Sequence, residues 1–261
     1  MNTTSGTVLA LAEEVPVALV FNGISHAVMM ASPANLEDFA LGFALSEGLL
    51  QSPSQLYGVD TEVLAQGIEV RLEVAAQAEQ HLKERRRNMA GRTGCGLCGA
   101  DSLGQVRLPL PQAPSVGIDT QAMFKAHSML RSLQPEKQRT GATHAAAWAS
   151  LQGDIELVRE DVGRHNALDK LIGAMVKAHV NPMQGFVCIT SRASFEMVQK
   201  TIQSGAGVLT AVSAPTALAV EMAQDHNLLL LGLVRDGSYA AYSHTHRINT
   251  HPSPLETHHE H

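Results

Sequence analysis

Residues 163–190, GRHNALDKLIGAMVKAHVNPMQGFVCIT, contain a predicted helix to about residue 178 and then a predicted buried strand. The same order recurs further along the chain. Helices over ASFEMVQKTIQSG and PTALAVEMAQDHN alternate with the apolar strands VLTAVS and LLLLGLV. Strands that alternate with helices favour right-handed crossovers and a sheet that is covered on both faces. The sequence therefore predicts an α/β fold.

Two hairpins flank this pattern. THAAAWAS and IELVRE surround the turn Gln152-Gly153-Asp154, and Asp236-Gly237 leads into a last strand, YAAYSH. A helix is expected over Thr120–Leu133.

The N-terminal part has a different order of predicted elements. Asn22-Gly23 is a strong hairpin signal between two apolar runs. Ser32-Pro33 is then expected to cap a helix that continues to about Leu50, because Leu36, Phe39 and Phe43 follow at helical spacing. Alternating polar and apolar residues over 68–74 predict a half-buried strand.

The pattern divides the chain into five segments. We expect a flexible N-terminus over 1–12, a small α+β module over 13–90 and a mobile cysteine loop with a proline-containing connector over 91–118. A larger α/β domain over 119–247 and a flexible, His-rich tail over 248–261 follow.

Composition excludes several classes of protein. The chain has 261 residues, of which 44% are hydrophobic, and a formal net charge of -6, which argues against nucleic-acid coating. No apolar run approaches the roughly 20 residues that span a bilayer, and a secretory signal pattern is absent. Three cysteines are too few for a disulfide scaffold. A cytoplasmic protein that contacts neither membrane nor nucleic acid is expected.

Two of the cysteines lie in the glycine-rich stretch GRTGCGLCGADSLG, residues 91–104. An incidental surface pair is disfavoured, because the flexibility of so many glycines has an entropic cost. A zinc site needs four ligands, and Cys188 lies within an apolar strand pattern typical of a buried thiol. A dithiol oxidoreductase and a sulfur carrier that bears a persulfide both remain, and the motif alone does not separate them.

The order of elements in the C-terminal domain resembles the three-layer α/β/α cytidine-deaminase-like fold. Zinc deaminases carry His-x-Glu at one helix start and Cys-x-x-Cys at the next. Here His165 is followed by Ala167 instead of the glutamate, and Ser191 and Ser194 stand in place of the cysteines. The sequence therefore predicts that no zinc is bound and that cytidine is not deaminated.

Both helix starts are instead rich in groups that bind phosphate. The candidate residues there are Arg164, His165, Asn166, Ser191, Arg192 and Ser194. Because ligands of α/β sheets gather at the carboxyl ends of the strands, these residues predict an anion site at that edge.

Several motifs together resemble the FdhD family of sulfur carriers. They are EVPVALVFNGISHAVMMASP, GRTGCGLCG, GATHAAAW, EDVGRHNALDKLIG, SRASFEMVQKTIQSG and SAPTALAVEMA, so that the resemblance covers roughly Glu13 to His246.

The resemblance implies a specific activity. A cysteine desulfurase would pass sulfur to Cys95 as a persulfide, with Cys98 as a second acceptor or a resolving thiol. The sulfur would then enter the bis-molybdopterin guanine dinucleotide cofactor of a molybdenum-dependent formate dehydrogenase. A homodimer is also implied.

The resemblance further implies a cofactor contact after the last long strand. It maps to Leu233, Val234, Arg235, Asp236, Gly237 and Ser238, although Ser238 stands where the family often has a basic residue. We expect the site to lie between GRHN, SRAS and VRDGS, with GDP as a mimic of the cofactor. The alternative function is a chaperone that binds and delivers the molybdenum cofactor without using its thiols.

Overall fold

The computed structural model describes residues 10–80 and 110–249. The chain folds into two compact units. Of the described residues, 10–80, 110, 132–146 and 157–180 form the first unit, and 111–131, 147–156 and 181–249 form the second unit.

The first unit contains a four-stranded sheet. Its strands are β1 (Val15–Phe21), β2 (Ile24–Ala31), β3 (Leu56–Leu64) and β4 (Gly67–Val74), in the order β2-β1-β4-β3. β1 and β4 are parallel, whereas both outer pairs are antiparallel. The predicted hairpin at Asn22-Gly23 is confirmed, because both residues have the positive φ, 46° and 79°, that a tight type I′ turn requires.

Helix α1 (Leu36–Ser46) packs its apolar residues against this sheet. The prediction that Ser32-Pro33 starts the helix is wrong, since Asn35, with φ 57°, is the residue that precedes the first turn. Ser32 is engaged elsewhere in the first unit: its N–H donates to Asp161 Oδ2 at 3.0 Å, and its Oγ accepts from the N–H of Val162 at 3.2 Å.

The first unit also contains the helices α3 (Pro135–Thr140) and α4 (Arg164–Lys177). α3 is a short helix that the sequence pattern did not indicate, and α4 is the predicted helix at GRHN. α1 and α4 cross where Gly42 meets the backbone of Asp169 and Gly173 meets the backbone of Asp38. This backbone-to-backbone crossing fixes the position of α4 in the unit.

A six-stranded sheet has the order β11-β10-β9-β8-β6-β7. Its strands are β6 (His144–Ser150), β7 (Ile155–Asp161), β8 (Gly185–Ile189), β9 (Val208–Ala211), β10 (Leu229–Arg235) and β11 (Ser238–Ala241). β8, β9 and β10 are parallel, and β11 runs antiparallel to β10. The predicted strands and the hairpins at 152–154 and 236–237 are confirmed.

The second unit contributes the predicted helices α2 (Thr120–Ser132), α5 (Phe195–Gln203) and α6 (Ala217–Asp225). A two-stranded parallel ribbon, β5 (Ile118–Asp119) with β12 (Ile248–Asn249), was not expected. The mixed α/β class is confirmed, while the cytidine-deaminase-like arrangement remains a prediction.

The compact units do not follow the predicted segments. Residues 132–146 and 157–180 belong to the same unit as the N-terminal residues, and the close packing of α4 against α1 accounts for the second of these ranges. Most of the connector 91–118 lies outside the described residues, so the predicted segment boundaries stay a prediction.

Candidate functional site

The carboxyl ends of β8, β9 and β10 adjoin one another in the second unit. Ala193, after β8, forms an isolated parallel bridge with Pro215, after β9, and the N–H of Thr216 donates to the carbonyl of Ala193 at 3.2 Å. The N–H of Leu233 donates in turn to the carbonyl of Ser213 at 3.3 Å. These bonds bring the predicted SRAS segment and the end of β10 to the same sheet edge.

Leu233 marks a bulge in β10. Its φ of 53° lies in the left-handed region, and the pairing with β11 shifts by one residue between Gly232 and Arg235. A bulky residue in this region is rare, and bulges often re-aim side chains beside functional sites. The bulge leaves Leu233 partly exposed and Val234 buried. It therefore changes the direction of the chain just before the predicted cofactor turn.

The turn Asp236-Gly237 joins β10 to β11. Gly237 has φ 77°, and a β-carbon built on it would meet no described atom within 4 Å. A ligand could therefore approach the turn's backbone closely, as the sequence predicts. Arg235 and Ser238 pair across the turn, and both are exposed.

Asp236 is directed towards Arg131 at the end of α2. Both carboxylate oxygens accept from the guanidinium, the longer bond being 3.2 Å from Nη1 to Oδ2. This hydrogen bonding lowers the pKa of Asp236 and raises the pKa of Arg131. Arg131 was missed by sequence reasoning, because 105 residues separate it from Asp236.

The SRAS segment leads into α5, which begins at Phe195. The hydroxyl of Ser191 donates to the carbonyl of Arg192 at 3.1 Å, and that of Ser194 donates to Glu196 Oε2 at 2.7 Å. Ser194 is the N-cap residue, yet its side chain makes no capping bond within the described residues. The exposed Arg192 lies three residues before the N-terminal end of α5, which favours anions.

Arg164 and His165 belong to the first unit, at the start of α4. Its first turn contains no acidic residue, although the helix dipole favours acids there and disfavours cations. Burial lowers the pKa of His144, and the nearby positive charges of Lys137, Arg164 and His165 lower it further. Lys137 and His144 thus lie near the predicted pair, and the lowered pKa of His144 favours its neutral form. His144 could have been suspected from its place in the GATHAAAW motif.

Asp161 fixes the turn that leads into α4. Its Oδ1 accepts from the N–H of Gly163 at 2.8 Å and from Asn166 Nδ2 at 3.0 Å. Its Oδ2 lies 2.6 Å from Nζ of Lys170, which also donates to the carbonyl of Ser32. Asn166, a predicted phosphate ligand, is buried and donates also to the carbonyl of Met30. Within the described residues its amide therefore has a structural role.

The first unit also contains a cavity of about 700 Å³ between α1, α4 and β7. Its charged groups neutralise one another: Asp38 accepts from Arg159 at 2.8 Å and lies 2.9 Å from Lys177 Nζ, which also pairs with Glu37. None of the predicted site residues lines it.

Of the three cysteines, only Cys188 lies within the described residues. Cys95 and Cys98 lie outside the described residues. Cys188 is fully buried in β8, as expected of a core thiol. Burial raises its pKa to about 12, although a hydrogen bond from Thr210 Oγ1 at 3.3 Å acts in the opposite direction. A thiol with so little thiolate is a poor nucleophile.

Within residues 10–80 and 110–249, no group of three or more His, Cys, Asp and Glu side chains is arranged to hold a metal ion. In the same residues, no helix has the length and apolar character needed to cross a membrane.

The fold class defined by these units is shared with a solved structure. A crystal structure of a candidate formate dehydrogenase accessory protein from Desulfotalea psychrophila superposes with a TM-score of 0.71 at 20% identity. The match covers 92% of this chain and 90% of that one, which establishes a common fold.

Sequence comparisons are more specific. The FdhD/NarQ family model matches residues 12–249, so the chain belongs to the FdhD/NarQ family. The chain is 55% identical to the sulfur carrier protein FdhD of Cupriavidus necator over 91% of its length and 83% of that protein. It is 51% identical to the protein of the same name from Bordetella petrii, over 93% and 87% of the two chains.

Proposed function

We propose that this chain is a sulfur carrier that takes sulfur from a cysteine desulfurase and delivers it to the bis-molybdopterin guanine dinucleotide cofactor of a formate dehydrogenase. The observation that carries the proposal is membership of the FdhD/NarQ family. Relatives that are 55% and 51% identical in sequence are named sulfur carrier protein FdhD. The chain has three cysteines, and the high pKa of the buried Cys188 makes it a poor nucleophile. The thiols left to carry sulfur are those of Cys95 and Cys98.

The loading step requires one nucleophilic displacement. The Cys95 thiolate attacks the terminal sulfur of the desulfurase persulfide, and the S–S bond of that persulfide breaks. The desulfurase cysteine leaves as a thiolate, and Cys95 now carries the persulfide. The sulfane sulfur moves between two thiols, so no external oxidant or reductant is needed.

The acceptor cofactor has guanine dinucleotide arms, whose phosphates need cationic or amide partners. In the second unit, Arg192, just before α5, and the backbone at Gly237 supply such partners at one sheet edge. In the first unit, the Lys137 and Arg164 side chains near His144 and His165 offer a second set. We propose that the set in the second unit binds phosphate groups of the cofactor, and that the set in the first unit is a separate candidate for a phosphate.

Mass spectrometry tests the loading step. Wild-type, Cys95→Ser, Cys98→Ser and Cys188→Ala proteins are incubated with a cysteine desulfurase and cysteine, and their intact masses are measured. We expect the masses of wild type and Cys188→Ala to increase by a persulfide sulfur. Cys95→Ser should lack the persulfide on residue 95 from which sulfur passes to the cofactor. A double variant, Cys95→Ser/Cys98→Ser, that still activates formate dehydrogenase fully would exclude the carrier mechanism and support a chaperone role.

A further inference from the structure

Arg131 is held beside the proposed cofactor turn by the packing of α2. The rings of Phe124, on α2, and Tyr239, on β11, lie 6.1 Å apart. Arg131 is in the last turn of α2, where the helix dipole stabilises a cation. From there its guanidinium contacts both oxygens of Asp236.

Asp236 presents a charge problem for a phosphate ligand. Its side chain is 79% exposed, and hydrogen bonding to Arg131 keeps its pKa below the usual range, so it is ionised at neutral pH. An ionised carboxylate in the turn would repel phosphates that approach the neighbouring Gly237 backbone. The turn can therefore bind an anion only if this charge is neutralised or directed away.

We propose that Arg131 is a positioning residue that neutralises Asp236 and draws its carboxylate away from the ligand, so that a nucleoside diphosphate meets the backbone at Gly237. The guanidinium's planar donors suit both carboxylate oxygens, and the pair leaves the side of Gly237 open among the described atoms. The inference rests on the proposed cofactor site and adds to it a residue outside the segments that the sequence indicated.

A double-mutant cycle tests the proposal with GDP as the probe. Calorimetry compares wild type, Arg131→Gln, Asp236→Asn and the double variant Arg131→Gln/Asp236→Asn at low salt. We expect Arg131→Gln to weaken GDP binding about fivefold, the effect of one uncompensated charge about 4 Å away in water. Since we expect the Asp236-Gly237 turn to meet the ligand through its backbone, Asp236→Asn should bind at least as tightly as wild type. The double variant should return to within about twofold of wild type.

Two readouts separate this charge effect from a loss of structure. The Arg131–Asp236 pair is exposed on both sides, 58% and 79%, so its removal should scarcely change the thermal midpoint. The difference between wild type and Arg131→Gln should also shrink as salt is raised, because salt screens exposed charges. Arg71→Gln, which removes exposed ion pairs with Glu62 and Glu69 in the four-stranded sheet, is the control and should bind GDP as wild type does.

The outcomes are distinguishable. Wild type that binds no GDP overturns the proposed cofactor site and this inference with it. Wild type that binds GDP while Arg131→Gln has equal affinity overturns the inference alone. A double variant as weak as Arg131→Gln also overturns it, because Arg131 would then act on the ligand directly rather than through Asp236.

Discussion

The ammonium group of Lys170 lies 2.6 Å from the carboxylate of Asp161, and both side chains are fully buried in the first unit. Burial lowers the pKa of Lys170, while the charge of Asp161 opposes that shift. The pair ties α4 to the end of β2, since Lys170 Nζ donates to the carbonyl of Ser32 at 2.9 Å. Part of the EDVGRHNALDK motif therefore builds the turn that presents Arg164.

Replacement of Lys170 by methionine should strongly destabilise the protein. It leaves the Asp161 carboxylate buried without its counter-ion, which typically costs about 3–5 kcal/mol. Lys125→Met, which removes an exposed pair with Asp154, should cost about 1 kcal/mol or less. Urea unfolding of the three proteins measures both effects. Equal stability of Lys170→Met and wild type would show that the buried pair does not hold α4.

Gly173→Ala should be more damaging than an ordinary alanine substitution in a helix. A β-carbon at Gly173 would overlap the backbone carbonyl of Asp38, so α1 and α4 would have to separate. Overpacking of a close contact usually costs about 1–3 kcal/mol. Gly58→Ala is the control, because the nearest atom to its β-carbon would be Glu73 Oε2 at 3.5 Å. Thermal unfolding should show a lower midpoint for Gly173→Ala only, and similar midpoints for both variants would contradict this interpretation.

His127 should make stability depend on pH. Burial, and secondarily the charge of Arg131, lowers its pKa to about 4, and its Nε2 lies 2.8 Å from Thr210 Oγ1. Between that value and its ordinary pKa near 6.5, the unfolded chain binds a proton that the folded chain does not. The stability that the neutral His127 side chain contributes is therefore complete above about pH 6.5. It is lost as the pH falls towards 4, by up to about 1.4 kcal/mol per pH unit.

The comparison of wild type with His127→Gln isolates that contribution, since other groups titrate alike in both. The difference in unfolding free energy between the two proteins should change by at least about 2 kcal/mol between pH 7 and pH 4.5. A constant difference across that range would mean that His127 is not the residue responsible.

Local signals in the sequence predicted most of the elements. Asn22-Gly23 specifies a turn by its own backbone preferences, and the apolar runs of β8, β9 and β10 specify buried strands. Ser32 was misassigned as a cap because its hydrogen-bond partner, Asp161, is 129 residues away.

Contacts between distant residues account for what was missed. β5 and β12 are strands of two residues each, too short for any periodicity, and they pair across 130 positions of the sequence. Arg131 and Asp236 likewise come together only in the fold. One sheet edge could be predicted from the sequence, because the carboxyl ends of parallel strands share an edge. It carries Ser191, Arg192, Ser194 and Leu233.

Arg192→Ala should weaken GDP binding if the proposed site is correct. A charge-assisted hydrogen bond contributes about 1.5–3 kcal/mol, so we expect an affinity loss of roughly tenfold or more. Calorimetric titration of GDP into both proteins measures the loss, with Lys125→Met as a control whose cation pairs with Asp154. Unchanged affinity of Arg192→Ala would place the phosphates away from the start of α5.

The two cysteines of the CxxC pair should have separable roles. If Cys98 is a resolving thiol, its thiolate attacks the inner sulfur of the Cys95 persulfide, hydrosulfide leaves and a Cys95–Cys98 disulfide forms. Cys98→Ser should then keep the persulfide at least about threefold longer and release less sulfide, because the attacking group is gone. Mass spectrometry after removal of the desulfurase, together with a sulfide assay, measures both quantities. Equal persulfide lifetimes in Cys98→Ser and wild type, with sulfur still added to Cys95→Ser, would instead identify Cys98 as a second acceptor.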